Sequence, residues 1–304
     1  MDNATLIALD WGTSNLRASL LDAQGRVLDR RSAATGVMAV TGGAFEPALR
    51  SLCQDWMAQA SLPLIASGMI GSRQGWVEVP YLPCPATPAQ AAAGLKAVPL
   101  QGGGCLHIVP GLRCDGTDAQ ADVMRGEETQ IWGVDLAAGN WAVLPGTHSK
   151  WARVGAGGAI TSFQTYMTGE LFAVLQQHSI LGRLMKPGVA RPAAFDDGVR
   201  LGLAQSAHLL HLLFSVRTAG LVGAREGEDL PDYLSGLLLG AEVGSMRERG
   251  APDTVTLLGE PGLVDRYRRA LALAGIGASR ADTDATIRGQ WRLAMAAGLV
   301  GATG

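Results

Sequence analysis

Two short polar turns carry residue types that bind phosphate groups. The first follows an apolar run and reads Asp10-Trp11-Gly12-Thr13-Ser14-Asn15, and the second reads Pro145-Gly146-Thr147-His148-Ser149-Lys150. Glycine allows a backbone to approach a phosphate closely, and amide and hydroxyl groups donate hydrogen bonds to its oxygens. Either turn alone would also suit an ordinary hairpin connection. The pair predicts that neighbouring phosphates of one nucleotide are bound by the two turns together.

Asp10 distinguishes the first turn from the second, in which the matching position is Leu144. A carboxylate at the end of a buried strand is unfavourable unless something pairs with it, and Mg²⁺ is one suitable partner. The asymmetry predicts a single metal site that depends on Asp10. His148, in the second turn, would serve equally as a phosphate donor or as an ordinary turn residue.

The elements around the two turns are alike. Apolar runs predict strands at 5–10, 16–21 and 26–31 around the first turn, and at 141–144, 150–154 and 159–166 around the second. This similarity indicates a duplicated unit, although Gly-rich meanders also match by chance. Further patterns predict strands at 64–66, 106–109 and 254–258, and helices from Leu49, at 123–134, 196–214, 229–249 and 261–274, and from about Thr286.

This order of elements predicts an α/β protein with two lobes and a cleft between them. Each lobe would hold a mixed sheet that opens with an antiparallel meander and is flanked by helices. We expect one lobe at 1–121, completed by the last helix at 286–304, and the other at 122–285. No Gly-x-Gly-x-x-Gly follows the first strand and no Walker loop is present, so the pattern does not suit a dinucleotide-binding sheet.

Composition excludes several classes of protein. The 304 residues are 47% hydrophobic and 17% charged, which predicts an ordered globular chain, and the net charge of −2 gives no reason to expect nucleic acid as a partner. The longest apolar stretches are too short to span a membrane. Met1-Asp2-Asn3 does not resemble the start of a secretory signal, and the four cysteines have no paired spacing. A cytoplasmic location is therefore predicted.

Glycine is unusually frequent, at 41 of 304 residues, about twice the usual share of roughly 7%. Genome base composition would explain the excess without any structural role. If the excess is structural, it predicts many tight turns and close approaches between backbones.

Several blocks of the chain resemble those of the 2-dehydro-3-deoxygalactonokinases, a family within the superfamily of sugar kinases, actin and heat-shock chaperone ATPases. Asp10-x-Gly12-Thr13-x-x-x-Arg17 is similar to the first phosphate motif of that superfamily. The blocks follow the family's order and span most of the chain: Leu9–Arg17, Gly68–Ser72, Val123–Gln130, Pro145–Trp151, Met167–Glu170 and Ser235–Glu242.

The resemblance implies a two-lobed, actin-like (ribonuclease H-like) ATPase fold and a kinase dependent on ATP and Mg²⁺. The implied reaction phosphorylates the terminal 6-hydroxyl of 2-dehydro-3-deoxy-D-galactonate in galactonate catabolism. A kinase for a related 2-keto-3-deoxy sugar acid and a non-kinase nucleotide-dependent binding protein are the alternatives. The expected partners are the sugar acid and MgATP, with no nucleic acid or membrane, and a homodimer is left open.

With this family in view, the two turns are expected to bind the nucleotide. The expected cofactor-binding residues are Gly12, Thr13, Ser14, Asn15, Arg17, Gly146, Thr147, His148, Ser149, Lys150 and Gly259. Gly259 lies where the superfamily has a Gly-Gly adenosine loop, but Glu260 replaces the second glycine. Asp10 is the expected metal ligand.

The sugar acid is itself an anion, so an arginine should bind its carboxylate. Arg125 and Arg73 are the candidates, although Arg125 would also suit an exposed helical charge run. The full set of expected substrate-binding residues is Gly68, Met69, Arg73, Arg125, Thr168 and Glu170.

A carboxylate must accept the hydroxyl proton during transfer. Related sugar kinases place an acid at the start of a helix upstream of the second turn, which makes Asp122, Glu127 and Glu128 the candidates. Glu127 is favoured, and Asp122 would equally serve as a helix N-cap. The expected catalytic residues are therefore Glu127, Asp122 and Asp10.

Overall fold

The computed structural model describes residues 3–59, 62–116, 120–250, 252–282 and 284–301. Met1 and Asp2, used in the prediction about a secretory signal, and the last three residues of the predicted segment 286–304 lie outside the described residues. Among the described residues, none of the helices is both long and apolar enough to cross a membrane.

Fourteen strands and nine helices are found in the described part of the chain. The strands are β1 Ala4–Trp11, β2 Leu16–Asp22, β3 Val27–Ala33, β4 Leu64–Ser67, β5 Leu82–Pro83, β6 Lys96–Pro99, β7 Cys105–Ile108, β8 Leu112–Asp115, β9 Ala121–Met124, β10 Trp141–Leu144, β11 Ser149–Val154, β12 Ile160–Tyr166, β13 Thr254–Leu257 and β14 Gly277–Arg280. The helices are α1 Phe45–Gln59, α2 Pro88–Ala93, α3 Glu127–Trp132, α4 Thr168–His178, α5 Pro192–Ala204, α6 Leu209–Leu221, α7 Leu230–Glu248, α8 Pro261–Leu273 and α9 Ala285–Ala296.

Two sheets of the chain have the same order in their first four strands. The first is β3-β2-β1-β4-β7-β6, and the second is β12-β11-β10-β13-β14. In the first sheet β1, β2 and β3 form an antiparallel meander, and β4 then pairs with β1 in parallel. In the second sheet β13 pairs in parallel with both β10 and β14. The predicted repeat of strands is thus confirmed, because the three strands of the meander and the strand next to them have the same order in both sheets.

Two helix predictions need correction. The segment predicted as a helix at 123–134 begins as strand β9, which pairs antiparallel with β8, and only Glu127–Trp132 is helical. Strand pairing with a distant segment overrides the local helical pattern here. The segment predicted at 196–214 is two helices, α5 and α6, separated by a short 3-10 turn at Ser206–His208.

The chain divides into two compact units. Unit 1 holds residues 1–139, 152–163 and 282–304, and unit 2 holds 140–151 and 164–281. The predicted boundary at residues 121 and 122 falls inside unit 1, since α3 and α9 pack on each other there.

Each unit has its own apolar core. In unit 1, Leu49, Cys53 and Trp56 of α1 follow helical spacing and belong to the same buried apolar cluster as Ile7 and Leu9 of β1. Its apolar run Leu6–Leu9 is buried, as expected of a strand covered on both faces. In unit 2, one cluster surrounds Trp151 and Tyr267, and a second lies between α4, α6 and α7.

Helices α5 and α7 approach each other closely in unit 2. Glycines face the neighbouring helix at this crossing: a side chain at Gly236 would collide with the Phe195 carbonyl oxygen, and one at Gly198 with the Tyr233 carbonyl oxygen. Part of the glycine excess therefore has a structural purpose, because only glycine permits this distance between backbones.

Candidate active site

The turn between β1 and β2 presents its side chains to solvent. The Gly12 amide donates to the Asn15 carbonyl oxygen at 2.9 Å, closing the turn. Residues 36–38 hold the turn in place, because their amides donate hydrogen bonds of 3.0–3.1 Å to the carbonyl oxygens of residues 14, 12 and 13, in that order. Thr13, Ser14 and Asn15 are exposed. Because the carbonyl oxygens of the turn already accept hydrogen bonds within the protein, its exposed groups are mainly hydroxyl and amide donors. Such donors suit an anionic ligand.

Asp10 lies beside this turn, near the end of β1. Its Oδ2 is 3.2 Å from Nη1 of Arg17, the residue opposite it in β2. Burial raises the pKa of Asp10 above its ordinary value, and the positive charge of Arg17 opposes that shift. A carboxylate in this position would gain from a cation held close to it.

The end of β4 approaches Asp10 closely at Gly68. Its φ of 96° favours glycine, and a Cβ there would lie 2.8 Å from the Trp11 carbonyl oxygen and 3.6 Å from Oδ1 of Asp10. A Cβ on Gly126 would in turn lie 3.1 Å from the Gly68 Cα. The predicted substrate turn and the start of α3 therefore meet next to Asp10.

Arg125 is buried just before α3. Its Nη2 donates to the Val79 carbonyl oxygen at 2.7 Å, and the guanidinium lies 4.3 Å from the centre of the Tyr81 ring. Its Nε and Nη1 are buried with no hydrogen-bond partner among the described residues. Unpaired donors on a buried cation are unfavourable, so an anion there would be stabilising.

Arg73, the other arginine predicted to bind the substrate, has a different environment. Its side chain is 83% exposed and its Nε lies 3.3 Å from Oε1 of Glu78. Such an exposed pair contributes little energy. Met69 of the same segment is half-buried and packs against the unit 1 core.

The three candidate base residues have different surroundings. Asp122 is a residue of β9 opposite Cys114, so it is not the helix N-cap, which is Gly126. Glu127 begins α3, and its Oε2 accepts a hydrogen bond of 3.1 Å from the Arg125 amide. Glu128 is fully buried and accepts hydrogen bonds from the Gly126 amide at 2.7 Å and the Thr129 hydroxyl at 2.9 Å.

Glu128 has a strongly shifted pKa. Burial, reinforced by the neighbouring charge of Glu127, raises the pKa of Glu128 to about 7. Glu127 is half-buried, whereas Glu128 shows no exposed surface. Of the two, only Glu127 offers a carboxylate that an acceptor hydroxyl can reach without rearrangement.

Helix α9 supports this region from the far end of the chain. Its Gln290 donates to the Leu9 carbonyl oxygen at 2.6 Å and to the Ser67 hydroxyl at 2.9 Å, at the ends of β1 and β4. Arg288 and Arg292 donate to the carbonyl oxygens of Gly133 and Trp132 at 3.0 and 2.8 Å. The C-terminus of α3 is thereby capped, which positions Glu127 and Glu128.

The second turn, between β10 and β11 in unit 2, lies against the start of α4. The Glu170 amide donates to the Thr147 carbonyl oxygen at 2.9 Å, and a side chain at Gly169 would collide with the Gly146 carbonyl oxygen. Nε2 of His148 contacts Oε2 of Glu170. Thr147 and His148 are exposed. Glu170, which is predicted to bind the substrate, contacts His148 in this structure.

Glu242 of α7 is a buried carboxylate that gathers four donors. Its Oε1 accepts hydrogen bonds of 2.8 Å from the Ser149 hydroxyl and the Trp151 indole. Its Oε2 accepts a hydrogen bond of 2.9 Å from Tyr267 and another from Thr168. Burial raises the pKa of Glu242, and the donors oppose this shift. The hydroxyls of Ser149 and Thr168, which are predicted to bind the nucleotide and the substrate, donate to Glu242 in this structure.

Two further residues predicted to bind the nucleotide also lie in unit 2. Lys150 is buried in β11 rather than exposed on the turn. Gly259 has a φ of 144°, and a Cβ there would lie 3.4 Å from the Pro145 carbonyl oxygen, so it adjoins the second turn. Glu260 caps α8 by accepting hydrogen bonds of 2.9 Å from the amides of Gly262 and Leu263.

A cavity of about 720 Å³ opens next to the second turn within unit 2. It extends from Gly146 and Gly169 past Ser235 and Leu238 of α7 to Leu263 and Arg266 of α8. Most of its lining is apolar, with charged groups that include Lys186 and the ion pair of Arg266 with Asp232 at 2.6 Å. Cavities of roughly 300–1,000 Å³ with few polar groups are typical of small-molecule sites.

The described residues contain no cluster of three or more His, Cys, Asp or Glu side chains that could hold a metal on its own. Asp10 fits a different kind of metal site. Mg²⁺ is commonly bound by one or two carboxylates, water and the phosphates of its nucleotide. A half-buried carboxylate beside a turn rich in donors supplies the protein's share of such a site.

Comparison with known proteins identifies the family. A family model described as 2-keto-3-deoxy-galactonokinase matches residues 10–293. The chain belongs to this kinase family. The chain is also 38% identical over 274 residues to the 2-dehydro-3-deoxygalactonokinase of Escherichia coli (strain K12), in a match that covers 90% of this chain and 91% of that protein.

Solved structures extend the comparison to the fold of this kinase family. A crystal structure from Sinorhizobium meliloti, described as "a putative 2-dehydro-3-deoxygalactonokinase protein", has a TM-score of 0.87 at 36% identity and covers 95% of this chain and 98% of that one. A ligand-bound xylulose kinase from Lactobacillus acidophilus has a TM-score of 0.51 at 10% identity, covers 97% and 89% of the two chains, and shares the fold alone. The predicted α/β, actin-like fold class and the predicted kinase family are confirmed.

The hydrogen-bonding role of Glu242 is not among the predictions from the sequence. The sequence nevertheless contains a feature that could have indicated this role. Glu242 is the one charged residue in the run of apolar and small residues from Leu234 to Ser245. A helix that is apolar on all sides is expected to be buried, so an acid within it is expected to need hydrogen-bond partners.

Proposed function

We propose that the chain transfers the terminal phosphoryl group of MgATP to the 6-hydroxyl of 2-dehydro-3-deoxy-D-galactonate. The observation that carries the choice of an acidic sugar is Arg125, a buried guanidinium with two nitrogens lacking hydrogen-bond partners among the described residues. A carboxylate satisfies such a group better than a neutral sugar does. We assign Arg125 to the substrate carboxylate, with Gly68 and Met69 beside it.

Unit 2 would bind the nucleotide. The cavity of about 720 Å³ has the size and the apolar lining for adenosine, and Gly146 brings the second turn to its edge. The backbone of Gly146 and Thr147 and the side chain of His148 would donate to the phosphates. Glu170 would fix the orientation of His148 through their contact. Gly259, which has no side chain, would leave space beside the second turn for the nucleotide.

In unit 1, the exposed donors of Thr13, Ser14 and Asn15 would bind phosphate oxygens, and Arg17 would add positive charge. Asp10 would hold Mg²⁺, which when bound neutralises charge on the transferring phosphoryl group. Arg17, whose Nη1 lies 3.2 Å from Oδ2 of Asp10, would pair with this carboxylate when no metal is bound.

Glu127 would accept the proton of the acceptor hydroxyl. Its carboxylate lies at the start of α3, next to Gly126, which contacts Gly68 beside Asp10. Glu128 would position Glu127 rather than contact the substrate. It accepts a hydrogen bond from the Gly126 amide, which fixes the backbone next to Glu127.

The test is an ADP-release assay with MgATP and a panel of 2-keto-3-deoxy and aldonic acids. Rapid release that requires 2-dehydro-3-deoxy-D-galactonate supports the proposal, and a product phosphorylated at the 6-position, identified by NMR, supports the assigned hydroxyl. If the enzyme prefers the gluconate-derived stereoisomer, the proposed substrate is wrong but the proposed phosphoryl transfer to a sugar acid still holds. Slow hydrolysis that no sugar acid stimulates would contradict a kinase.

A matched pair of variants tests the role of Arg125. Arg125→Met should raise the KM for the sugar acid about 100-fold or more, since a charged hydrogen-bonded contact is lost, and leave the KM for ATP unchanged. Arg73→Met, at the exposed arginine, should change neither constant. An unchanged KM for the sugar acid in folded Arg125→Met would remove Arg125 from the site.

A further inference from the structure

A three-stranded sheet of unit 1, β5-β8-β9, brings two cysteines together. Strands β5 and β8 are parallel, with Pro83 opposite Arg113. The Cys84 amide continues this ladder by donating to the Arg113 carbonyl oxygen at 2.8 Å, which is the bond made by a residue opposite position 114 in a parallel pair. Cys84 and Cys114 therefore lie directly opposite each other, although they are far apart in the sequence.

The two thiols are placed for a disulfide bond. Opposite residues of neighbouring strands direct their side chains to the same face of the sheet, and such strands are roughly 4.7–4.9 Å apart. This separation lies within the roughly 4.4–6.8 Å between Cα atoms that a disulfide can bridge. Both cysteines are half-buried, so a small molecule can reach them from solvent.

Of the four cysteines, all of which the structure describes, the other two are placed differently. Cys53 is fully buried in α1, and burial raises the pKa of its thiol to about 12. Cys105 begins β7 in the six-stranded sheet, where it lies opposite Pro99. The spacing of the cysteines in the sequence does not show the pair, because the pair depends on the register of β5 and β8.

The two paired thiols are not equivalent. Burial is the largest cause that raises the pKa of Cys84 to about 12, and the neighbouring Cys114 thiol adds to the shift. Cys84 therefore keeps its proton at neutral pH. Because the thiolate is the reactive form of cysteine, Cys114 is the sulfur that reacts first, and Cys84 is the second thiol beside it.

We propose that Cys84 and Cys114 form an oxidisable dithiol site, at which a small peroxide such as hydrogen peroxide produces a disulfide within one chain. The Cys114 sulfur attacks a peroxide oxygen and becomes a sulfenic acid as the O–O bond breaks, and the departing hydroxide takes up the proton lost by the Cys114 thiol. The Cys84 sulfur then attacks the Cys114 sulfur. The S–S bond forms, the S–O bond breaks, and the leaving hydroxyl departs with the Cys84 proton as water. Two thiols and one hydrogen peroxide thus give one disulfide and two molecules of water.

The disulfide would join the two segments that hold Arg125. β5 follows Val79 and Tyr81, which contact the Arg125 guanidinium, and β8 pairs with β9, which ends one residue before Arg125. A covalent bond between β5 and β8 would restrict the adjustment of this site around a carboxylate. Oxidation should therefore raise the KM for the sugar acid about threefold or more and leave the KM for ATP unchanged, a consequence that rests on the function proposed above.

Peptide mapping of the full chain after treatment with hydrogen peroxide tests the site. Trypsin leaves one cysteine on each of four peptides, 51–73, 74–96, 97–113 and 114–125. When the remaining thiols are alkylated before a non-reducing digest, the expected product is 74–96 linked to 114–125. Absence of this linked peptide, or an equal yield of links to Cys105, would overturn the proposal.

Three serine variants test the order of the steps, with circular dichroism as the check on folding. Cys84→Ser should leave a sulfenic acid on Cys114 that dimedone traps, whereas Cys114→Ser should leave Cys84 mostly unmodified. Cys105→Ser, which removes another half-buried thiol of unit 1, is the matched control and should form the disulfide as wild type does. Dimedone labelling of Cys84 in preference to Cys114 would contradict the assigned order.

The kinetic consequence is tested by ADP release from oxidised and reduced wild-type protein. The rise in the KM for the sugar acid should be absent from Cys114→Ser treated in the same way. Dithiothreitol should reverse it, because this reagent reduces a disulfide but not methionine sulfoxide. An unchanged KM in fully linked protein would exclude an effect on the Arg125 site. If reduced protein shows no release that depends on a sugar acid, the proposed function is wrong, and peptide mapping still decides whether the disulfide forms.

Discussion

Glu242 accepts a hydrogen bond of 2.8 Å from the hydroxyl of Ser149, although the two residues are 93 positions apart. The contact joins α7 to the strand that follows the second turn. Thr168 at the start of α4 and Tyr267 of α8 bind the same carboxylate. One buried acid therefore fixes the second turn relative to three helices.

Replacement of this acid should reveal its positioning role. In Glu242→Gln, one carboxylate oxygen becomes a donor and leaves two donors without an acceptor, which should lower the free energy of unfolding by about 1–3 kcal/mol. Displacement of the second turn should weaken ATP binding about tenfold, as measured by calorimetry, while the KM for the sugar acid stays the same. Ser149→Ala, which removes a single donor, should have a smaller effect on both quantities. Normal ATP affinity in folded Glu242→Gln would show that the network is only structural.

Asp10→Asn should reduce kcat by about 100- to 1,000-fold, because an amide holds Mg²⁺ poorly and the charge of the transferring group is then less stabilised. Magnesium titrations of the rate should shift to higher concentration. Asp22→Asn is the matched control, since Asp22 is a buried acid of the same sheet that pairs with Arg26 at 2.7 Å. Asp22→Asn should lower stability without changing the magnesium dependence.

Glu127→Gln should lower kcat by about 100- to 10,000-fold, the usual contribution of a general base, and leave MgATP binding intact. Glu128→Gln should retain most turnover, because the carbonyl oxygen of the substituted side chain can still accept the Gly126 amide hydrogen. Single-turnover kinetics separate the chemical step from product release. If Glu128→Gln proves the more damaging change, the roles of the two residues are reversed.

Glu128 should also make stability depend on pH. Its pKa is raised in the folded state, from about 4.5 to about 7, so the folded protein binds more protons than the unfolded chain between these values. The free energy of unfolding should therefore fall as pH rises from 4.5 to 7, by up to about 3 kcal/mol, and level off above pH 7. Urea unfolding of wild type and Glu128→Gln at several pH values isolates this contribution. Identical pH profiles would mean that Glu128 is not protonated in the fold near pH 6.

Gly236→Ala tests the crossing of α5 and α7. Alanine normally stabilises a helix by about 1 kcal/mol relative to glycine, but the added methyl group would collide with the Phe195 carbonyl oxygen. Separation of the helices should lower the free energy of unfolding by about 1–3 kcal/mol. Ser235→Ala, one residue earlier on α7, should change it by less than about 0.5 kcal/mol. A more stable Gly236→Ala protein would contradict the close packing.

Much of the fold could be predicted from local patterns. The meanders on either side of Gly12 and Gly146 are marked by apolar runs and turn residues, which act over a few positions. Strand β9 could not be predicted in the same way, because its stability comes from pairing with β8. The interpretation of Asp122 as a helix N-cap was wrong for that reason.

The site could be predicted only in part. The types and spacing of Asp10, Gly12 and Thr13 indicated a phosphate turn, and the structure presents these residues together. The sequence predicts Thr168 and Glu170 as substrate-binding residues, but it gives no sign of their contacts with Glu242 and His148. Sequence spacing does not reveal which turn a helix start will contact, because that depends on how separate segments pack.

The hydrogen bond from Gln290 to the Leu9 carbonyl oxygen spans 281 positions of the chain. While the protein is being synthesised, β1 leaves the ribosome long before α9 exists, so the ends of β1 and β4 beside Asp10 lack these hydrogen bonds until α9 has been made. Co-translational folding can then complete the body of unit 2 first, although unit 1 begins earlier. Contacts of such long range also slow the search for the native state, which makes docking of α9 a late step in maturation of the nascent enzyme.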